Sequence, residues 1–117
     1  MTPFGARLRA LREARGVTLK QMAEGLQISA AYLSALEHGK RGTPTAVLLH
    51  QICSYFQIIW DEAEELKELA GVSHPRVVVD TAGLSARATL LANKLAAKIG
   101  TLPEEKVDRL LKELEKP

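Results

Sequence analysis

The chain has 117 residues, of which 46% are hydrophobic and 26% charged, and its formal net charge is +2. This length suits one compact domain with a modest extension, or a small module carrying an oligomerisation tail, and it excludes a large enzyme. The composition is typical of a folded globular protein and excludes an intrinsically disordered chain.

The charge is divided unevenly along the chain. Residues 1–58 carry seven Lys and Arg against three Asp and Glu, whereas residues 59–117 carry nine against eleven. The basic first half favours a polyanionic partner. No apolar run approaches the roughly 18 residues that a membrane span needs, so we expect a cytoplasmic protein without a membrane partner.

The first three predicted helices are short and follow each other closely. Phe4, Leu8 and Leu11 share the buried face of the first helix, which Gly16 ends. Thr18 is the predicted N-cap of the second helix, where Gln21 completes a Thr-x-x-Gln capping box. Ser29 is the N-cap of the third helix, which continues to His38 and stops at Gly39. Helices joined so tightly are expected to cross at a steep angle.

A fourth helix is predicted to start near residues 43–45, where a threonine and a proline supply a cap and a first turn. A fifth follows over about 59–70, and Gly71 ends it. The segment "VSHPRVVVDTAG" then has a proline, three successive valines and no helical period, which predicts a linker with a short strand over 76–80. Two amphipathic helices close the chain, one after Ser85 and one after "TLP". We therefore predict a domain at 1–71 and a separate region at 72–117.

The stretch "LREARGVTLKQMAEGLQISAAYLSALEHGKRGTP" resembles the helix-turn-helix domains of the phage repressor and Cro type, also called the XRE family. The resemblance extends from about Phe4 to Ala70. Its pattern is carried by Arg12, Gly16, Thr18, Met22, Ala23, Leu26, Ile28, Ser29, Leu33, Ser34, Leu36, Glu37, Gly39, Lys40, Arg41 and Pro44. It implies an all-α fold with five helices, and a transcriptional regulator, expected to be a dimeric repressor, that binds double-stranded DNA.

In this family the third helix enters the major groove of DNA. The resemblance therefore implies a base-facing set on that helix, composed of Ala30, Ala31, Ser34, Ala35 and His38. The first four positions offer three methyl groups and one hydroxyl, whereas hydrogen-bonded readout of bases uses Arg, Asn, Gln or a carboxylate. Our hypothesis is that much of the specificity comes from thymine-methyl contacts, from Ser34, and from DNA shape or deformability.

The resemblance also implies contacts to the sugar-phosphate backbone from helix N-termini and from the loop after the third helix. The candidate phosphate ligands are Thr18, Lys20, Tyr32, Lys40, Arg41, Thr43 and Thr45. Tyr32 is equally well interpreted as a partly buried packing residue. Many family members begin the second helix with Gln where this chain has Leu19, so Lys20 is the candidate substitute.

Arg12 and Glu37 correspond to a structural ion pair in the resembling family, which connects the first helix to the end of the third. We assign them to stability rather than to DNA binding. The three histidines lie in separate segments, and Cys53 is the only cysteine. No metal site, no cofactor and no catalytic set is therefore expected.

A single strand has no partner within the chain, so we expect two copies to pair their strands and their C-terminal helices around a two-fold axis. The predicted dimerisation residues are Val77, Val78, Val79, Leu91, Leu95, Ile99, Val107, Leu110, Leu111 and Leu114. A homodimer would place two reading helices about 34 Å apart on a near-palindromic operator. The other interpretation is that the last two helices fold back on their own domain.

A second function stays open at this point. Residues 72–117 could bind a protein partner such as a toxin, which would make the chain an antitoxin that also represses its own operon. A toxin-sized reading frame beside the gene would favour this alternative.

Overall fold

A computed structural model describes residues 1–40 and 43–117. These residues form seven α-helices: α1 Pro3–Ala14, α2 Leu19–Leu26, α3 Ala30–His38, α4 Ala46–Phe56, α5 Trp60–Gly71, α6 Ala86–Lys98 and α7 Glu104–Glu115. A 3-10 turn, Ile99–Thr101, follows α6. The chain divides into two units, Met1–Val77 and Val78–Pro117, and each is described by itself.

Hydroxyl side chains begin the first four helices. The Oγ atoms of Thr2, Thr18, Ser29 and Thr45 each accept a hydrogen bond from a backbone N–H three residues later, at 3.0–3.1 Å. Each bond satisfies one of the N–H groups that a helix start leaves without an internal partner. The capping box that the sequence predicted is present, because Gln21 Oε1 also accepts from the Thr18 N–H at 2.9 Å.

The core of unit Met1–Val77 lies between α1 and the helices that surround it. Helix α1 packs on α3 and α5, while α2 packs on α3 and α4. The fully buried apolar side chains are Phe4, Leu8, Met22, Leu33, Leu36, Ile52 and Phe56. They recur at helical spacing within each element, so the periodicity of the sequence positions the core.

Unit Val78–Pro117 contains α6, the 3-10 turn and α7, and none of its residues is buried. Ser85 caps α6 by accepting from the Ala88 N–H at 3.1 Å, and Thr89 donates to the Thr81 hydroxyl at 2.8 Å. The leucine positions of both helices are nevertheless exposed. Local hydrogen bonds therefore define these helices, and no apolar contact within the unit encloses them.

The predicted strand over 76–80 is wrong. Among the described residues there is no β-strand, and Val77, Val78 and Val79 are exposed, Val78 to 93%. A strand exists through hydrogen bonds to a neighbouring strand, and valine content alone does not supply one. The all-α class is correct, but the segment between α5 and α6 is irregular.

Candidate nucleic-acid interface

Helices α2 and α3 are joined by a three-residue connection. Gln27 ends α2 in the left-handed conformation, with φ of 58°, and Ser29 begins α3 as its N-cap. Between them the Ile28 N–H donates to the Ala23 carbonyl at 3.0 Å. The reversal at Gln27 allows two short helices to pack against each other at once, which is the helix-turn-helix arrangement.

The predicted base-facing residues all lie on α3, on the side opposite its buried residues. Ala30, Ala31 and His38 are exposed, while Ser34 and Ala35 are half-buried. Leu33, Leu36 and Glu37 form the inward side. The outward face is therefore narrow, small and mostly apolar.

His38 and Ser34 contact each other on this outward face. His38 Nδ1 lies 2.8 Å from the Ser34 carbonyl oxygen and 3.4 Å from the Ser34 hydroxyl. A carbonyl oxygen can only accept, so Nδ1 carries the proton in this hydrogen bond. In the neutral ring Nε2 is then an acceptor, and it adds a hydrogen-bonding atom to a face otherwise made of methyl groups.

Arg12 and Glu37 are brought together as a two-point ion pair. Arg12 Nε donates to Glu37 Oε2 at 2.7 Å and Nη2 donates to Oε1 at 3.2 Å, while Nη1 donates to the Val17 carbonyl at 3.1 Å. Glu37 is only 2% exposed. The hydrogen bond to Glu37 raises the pKa of the Arg12 guanidinium above its ordinary value. The pair joins α1, the connection before α2 and the end of α3, so it fixes the position of the outward face.

Two candidate phosphate ligands stand at the start of α2. Thr18 and Lys20 are exposed, while Leu19 between them packs against the core. The Thr18 oxygen accepts from the Gln21 N–H, which leaves its own hydroxyl proton for another acceptor. The apolar Leu19 thus occupies an inward position, and the polar groups on either side of it remain at the surface.

The other candidates surround the ends of α3 and α4. Lys40 is exposed and its N–H donates to the Ala35 carbonyl at 2.9 Å, whereas Tyr32 is half-buried against the core. Thr45 is the N-cap of α4, which places half-buried Thr43 before the helix rather than at its cap. Arg41 lies outside the described residues.

Two contacts in this region have no counterpart in the sequence prediction. Gly39 has φ of 77°, and a Cβ there would lie 2.7 Å from Thr2 Cγ2 and 2.9 Å from the Thr2 backbone nitrogen. A Cβ on Gly5 would overlap the carbonyl oxygens of Leu36 and Glu37. The two glycines therefore let the start of α1 approach the end of α3 closely. No local pattern reveals this, because the contact joins segments more than 30 residues apart.

The arginines of α1 also have partners within the unit. Arg15 Nη2 donates to the Phe56 carbonyl, and its guanidinium carbon lies 5.7 Å from the centre of the Phe56 ring. Arg9 pairs with Glu13 at 3.0 Å, and Arg7 approaches Glu65 at 4.0 Å. These cations are engaged on the helix bundle and are separate from the α3 face.

The geometry agrees with the comparison to known families. The model of the helix-turn-helix domain family matches residues 3–66, which is more than half of the chain. The chain belongs to this family, and the resemblance to phage-repressor-type regulators is confirmed.

Two curated relatives come from Bacillus subtilis (strain 168). The chain is 39% identical over 61 residues to the uncharacterized HTH-type transcriptional regulator RghRB, an alignment that covers 52% of this chain and 44% of the relative. It is also 39% identical over 61 residues to the HTH-type transcriptional repressor RghR, covering 52% and 45%. The aligned residues thus span less than half the length of either relative. No solved structure matches the chain.

Within residues 1–40 and 43–117, no helix has the length and apolar character required to cross a membrane. In the same residues, no group of three or more His, Cys, Asp and Glu side chains is placed to hold a metal ion.

Proposed function

We propose that this protein is a sequence-specific regulator of transcription, most simply a repressor, that binds double-stranded DNA through α3. The observation that carries the proposal is the two-sidedness of that helix. Its inward side is closed by Leu33, Leu36 and the Glu37–Arg12 pair, while Ala30, Ala31 and His38 project outward. A small, fixed outward face fits the major groove without displacing side chains.

The phosphate contacts are proposed at the edges of this face. Thr18 and Thr45 offer hydroxyl protons at helix starts, where N–H groups and the helix dipole favour an anion. Lys20 and Lys40 add exposed positive charge, and Arg41, Thr43 and Tyr32 complete the proposed set. Such contacts fix the register of the protein on DNA and leave sequence readout to α3.

We propose that DNA sequence specificity combines a few hydrogen bonds to the bases with recognition of the shape of the DNA. Methyl groups on Ala30, Ala31 and Ala35 suit thymine methyls. An acceptor at His38 Nε2 suits the exocyclic amine of adenine or cytosine. DNA deformability would supply the remaining discrimination.

We also propose that the protein acts as a homodimer on a near-palindromic operator, with residues 1–71 binding DNA and 72–117 joining the copies. The support is that no apolar residue of unit Val78–Pro117 is buried and that most of its large ones are exposed, including Leu91, Ile99, Leu111 and Leu114. An apolar face of this extent is typical of an interaction surface. Two-fold symmetry in the protein would be matched by symmetry in the operator.

Selection of binding sites from random double-stranded DNA tests the DNA proposal. We expect two related half-sites separated by about one helical turn. A long GC-rich motif sharply specified at every position beneath α3 would contradict the proposed readout, and no enrichment would contradict the function itself.

Salt titration on the selected site tests the phosphate contacts. The logarithm of the binding constant should fall linearly with the logarithm of the salt concentration. In Lys40→Ala the slope should become shallower by about one for each lost contact. Lys112→Ala is the matched control, since it removes the same charge from an exposed residue of α7. An unchanged slope in Lys40→Ala would remove Lys40 from the interface.

The exposed apolar face of residues 78–117 also supports a second candidate, an antitoxin that binds a toxin through this region. Co-expression with the product of an adjacent reading frame distinguishes the two. A stoichiometric complex that forms at the expense of the homodimer would favour the antitoxin.

A further inference from the structure

A groove of about 680 Å³ runs between α4 and the start of α5. Its apolar lining comes from Leu49, Cys53, Ile58, Ile59, Trp60 and Ala63. Burial raises the pKa of the Cys53 thiol, which marks the floor of the groove as partly dehydrated. The groove belongs entirely to unit Met1–Val77 and involves none of the proposed DNA ligands.

The apolar side chains at one end of the groove are unusually exposed. Ile59 is 66% and Trp60 is 82% exposed. Trp60 also has φ of 55°, a left-handed conformation that is costly for a side chain with a Cβ. Large apolar groups held at the surface in a strained backbone indicate a surface that another molecule covers.

Acidic side chains flank the α5 wall of the groove. Trp60, Ala63, Glu64 and Lys67 lie on the α5 face that lines it. Glu64, at the edge of this face, forms an exposed ridge with Asp61 and Glu68, which lie beside the lining, at spacings of three and four. Lys67 is the only positive charge in α5, against five carboxylates. The opposite rim, on α4, presents His50, Ser54 and Gln57.

Helix α6 has the complementary arrangement. Its apolar stripe follows Ala88, Leu91, Leu95 and Ile99, at the spacing of one helix face. Arg87, Lys94 and Lys98, at spacings of seven and four, form a basic ridge along one flank of that stripe. The sequence of α6 contains no acidic residue, and its other flank carries Thr89 and Asn93.

We propose that the groove between α4 and α5 is the docking site for α6 of a second copy of this chain. The apolar stripe of α6 covers Ile59 and Trp60, and its basic ridge lies along Asp61, Glu64 and Glu68. The uncharged flank of α6 then faces the α4 rim. Amphipathic helices bind apolar grooves in this way, with charges at the rim setting orientation. Reciprocal docking fills two grooves in each dimer, so the inference deepens, and rests on, the proposed homodimer.

A charge-exchange experiment on the full-length chain tests the docking. One variant carries Lys94→Glu and Lys98→Glu on α6, and the other carries Glu64→Lys and Glu68→Lys on α5. Each variant alone opposes like charges in both grooves, so we expect its dimer dissociation constant to rise by at least about tenfold in sedimentation equilibrium. An equimolar mixture pairs opposite charges in both grooves and should recover the parental affinity.

The mixture separates docking between copies from docking within one chain. If α6 folded onto its own groove, each variant would keep its like-charge clash whatever chain it met, and mixing would recover nothing. Failure of the mixture to recover, or unaltered dimerisation of both single variants, overturns the proposal. Glu62→Lys is the control, because Glu62 lies away from the groove face and its reversal should leave dimerisation unchanged.

Two intrinsic probes report on the groove itself. Trp60 is the only tryptophan and Cys53 the only cysteine. On dimerisation the Trp60 emission should shift to shorter wavelength and Cys53 should react more slowly with a thiol reagent. An exposed Trp60 in the parental dimer would overturn the docking.

The experiment contains no DNA, so its result does not depend on whether the protein binds DNA. If the mixture does not recover the dimer affinity and the protein still binds DNA, only the proposed groove contact is contradicted. If the mixture recovers the affinity and the protein does not bind DNA, the proposed regulator function is contradicted instead. Helical content by circular dichroism, equal in all variants, verifies that these exposed substitutions leave the chain folded.

Discussion

The two units of the chain contain helices of similar length and similar amphipathic pattern, yet only one of them has a core. Unit Met1–Val77 buries Phe4, Leu8, Leu33 and Phe56 completely, whereas no residue of unit Val78–Pro117 is buried. An apolar stripe therefore defines a helix that needs a covering surface, and it does not identify that surface. In the first unit the covering surface is the chain itself.

The missing core lowers the stability of the second unit, because apolar burial has to offset the cost of ordering its backbone. Ordering the backbone costs about 1–2 kcal/mol per residue, and burial of apolar area is the main term that offsets the cost. Isolated helices of about 12–15 residues are marginal in water. Helices α6 and α7, with 13 and 12 residues, are of that length. The second unit should thus depend on contacts outside itself.

The largest expected effect follows from separating the units. A fragment of residues 1–77 should unfold cooperatively on heating and keep its helical content on dilution. A fragment of residues 78–117 should lose most of its helical content at low micromolar concentration, because nothing covers its leucines. Circular dichroism at several concentrations makes the comparison.

A core within unit Val78–Pro117 would give a different melting behaviour. If residues 78–117 alone melted cooperatively, with a midpoint independent of concentration, the unit would have a core of its own. The exposed positions from Leu91 to Leu114 would then have to be enclosed within a single copy.

The next largest effect concerns the ion pair inside the first unit. Glu37→Ala leaves the guanidinium of Arg12 half-buried without its carboxylate, so the free energy of unfolding should fall by about 3 kcal/mol. Urea denaturation of residues 1–77 measures it.

Glu13→Ala is the matched control for that substitution. Glu13 also pairs with an arginine, Arg9, at 3.0 Å, but both side chains are about half-exposed. Exposed pairs contribute little, so this variant should melt close to the parent. Equal effects of the two substitutions would show that burial of Glu37 does not govern the pair.

Local features of the fold were predictable from the sequence. The N-caps Thr18, Ser29 and Ser85 lie where their hydroxyls precede an apolar period, and Gly39 ends α3 as expected. These signals succeed because a cap and a left-handed glycine act within four residues. The helix-turn-helix family was predictable for a related reason, since its pattern of buried and capping positions is contiguous.

Long-range features were not predictable. The three valines at 77–79 have the composition of a strand, but strand formation depends on a partner that local composition does not supply. Ser73, whose hydroxyl accepts from the Phe4 N–H at 2.9 Å, is buried by a contact across 69 residues. The groove beside the acidic ridge of α5 was not predictable either, because it exists only once α4 and α5 have packed. Which of the proposed ligands contact DNA stays a prediction.

The smallest expected effect tests whether the first unit depends on close approach between distant segments. Both Gly39 and Gly16 have a left-handed φ, so alanine at either position strains the backbone. Gly39→Ala also places a Cβ against Thr2, whereas the Cβ of Gly16→Ala, at φ of 64°, meets nothing within 4 Å. The second substitution should cost about 1 kcal/mol, the usual penalty for that conformation. The first should cost more, since the N-cap of α1 must also move.

Gly83 extends the same test to the second unit. It has φ of 82° and, like Gly16, no neighbour within 4 Å of an added Cβ. Because unit Val78–Pro117 has no core to strain, Gly83→Ala should leave the melting of residues 1–77 in the full-length chain unchanged. Calorimetry of the three variants should therefore rank Gly39 above Gly16 and Gly16 above Gly83. If Gly39→Ala and Gly16→Ala had the same melting temperature, backbone conformation alone would explain the loss of stability in both variants. The contact between Thr2 and the end of α3 would then contribute nothing to holding the proposed reading helix in place.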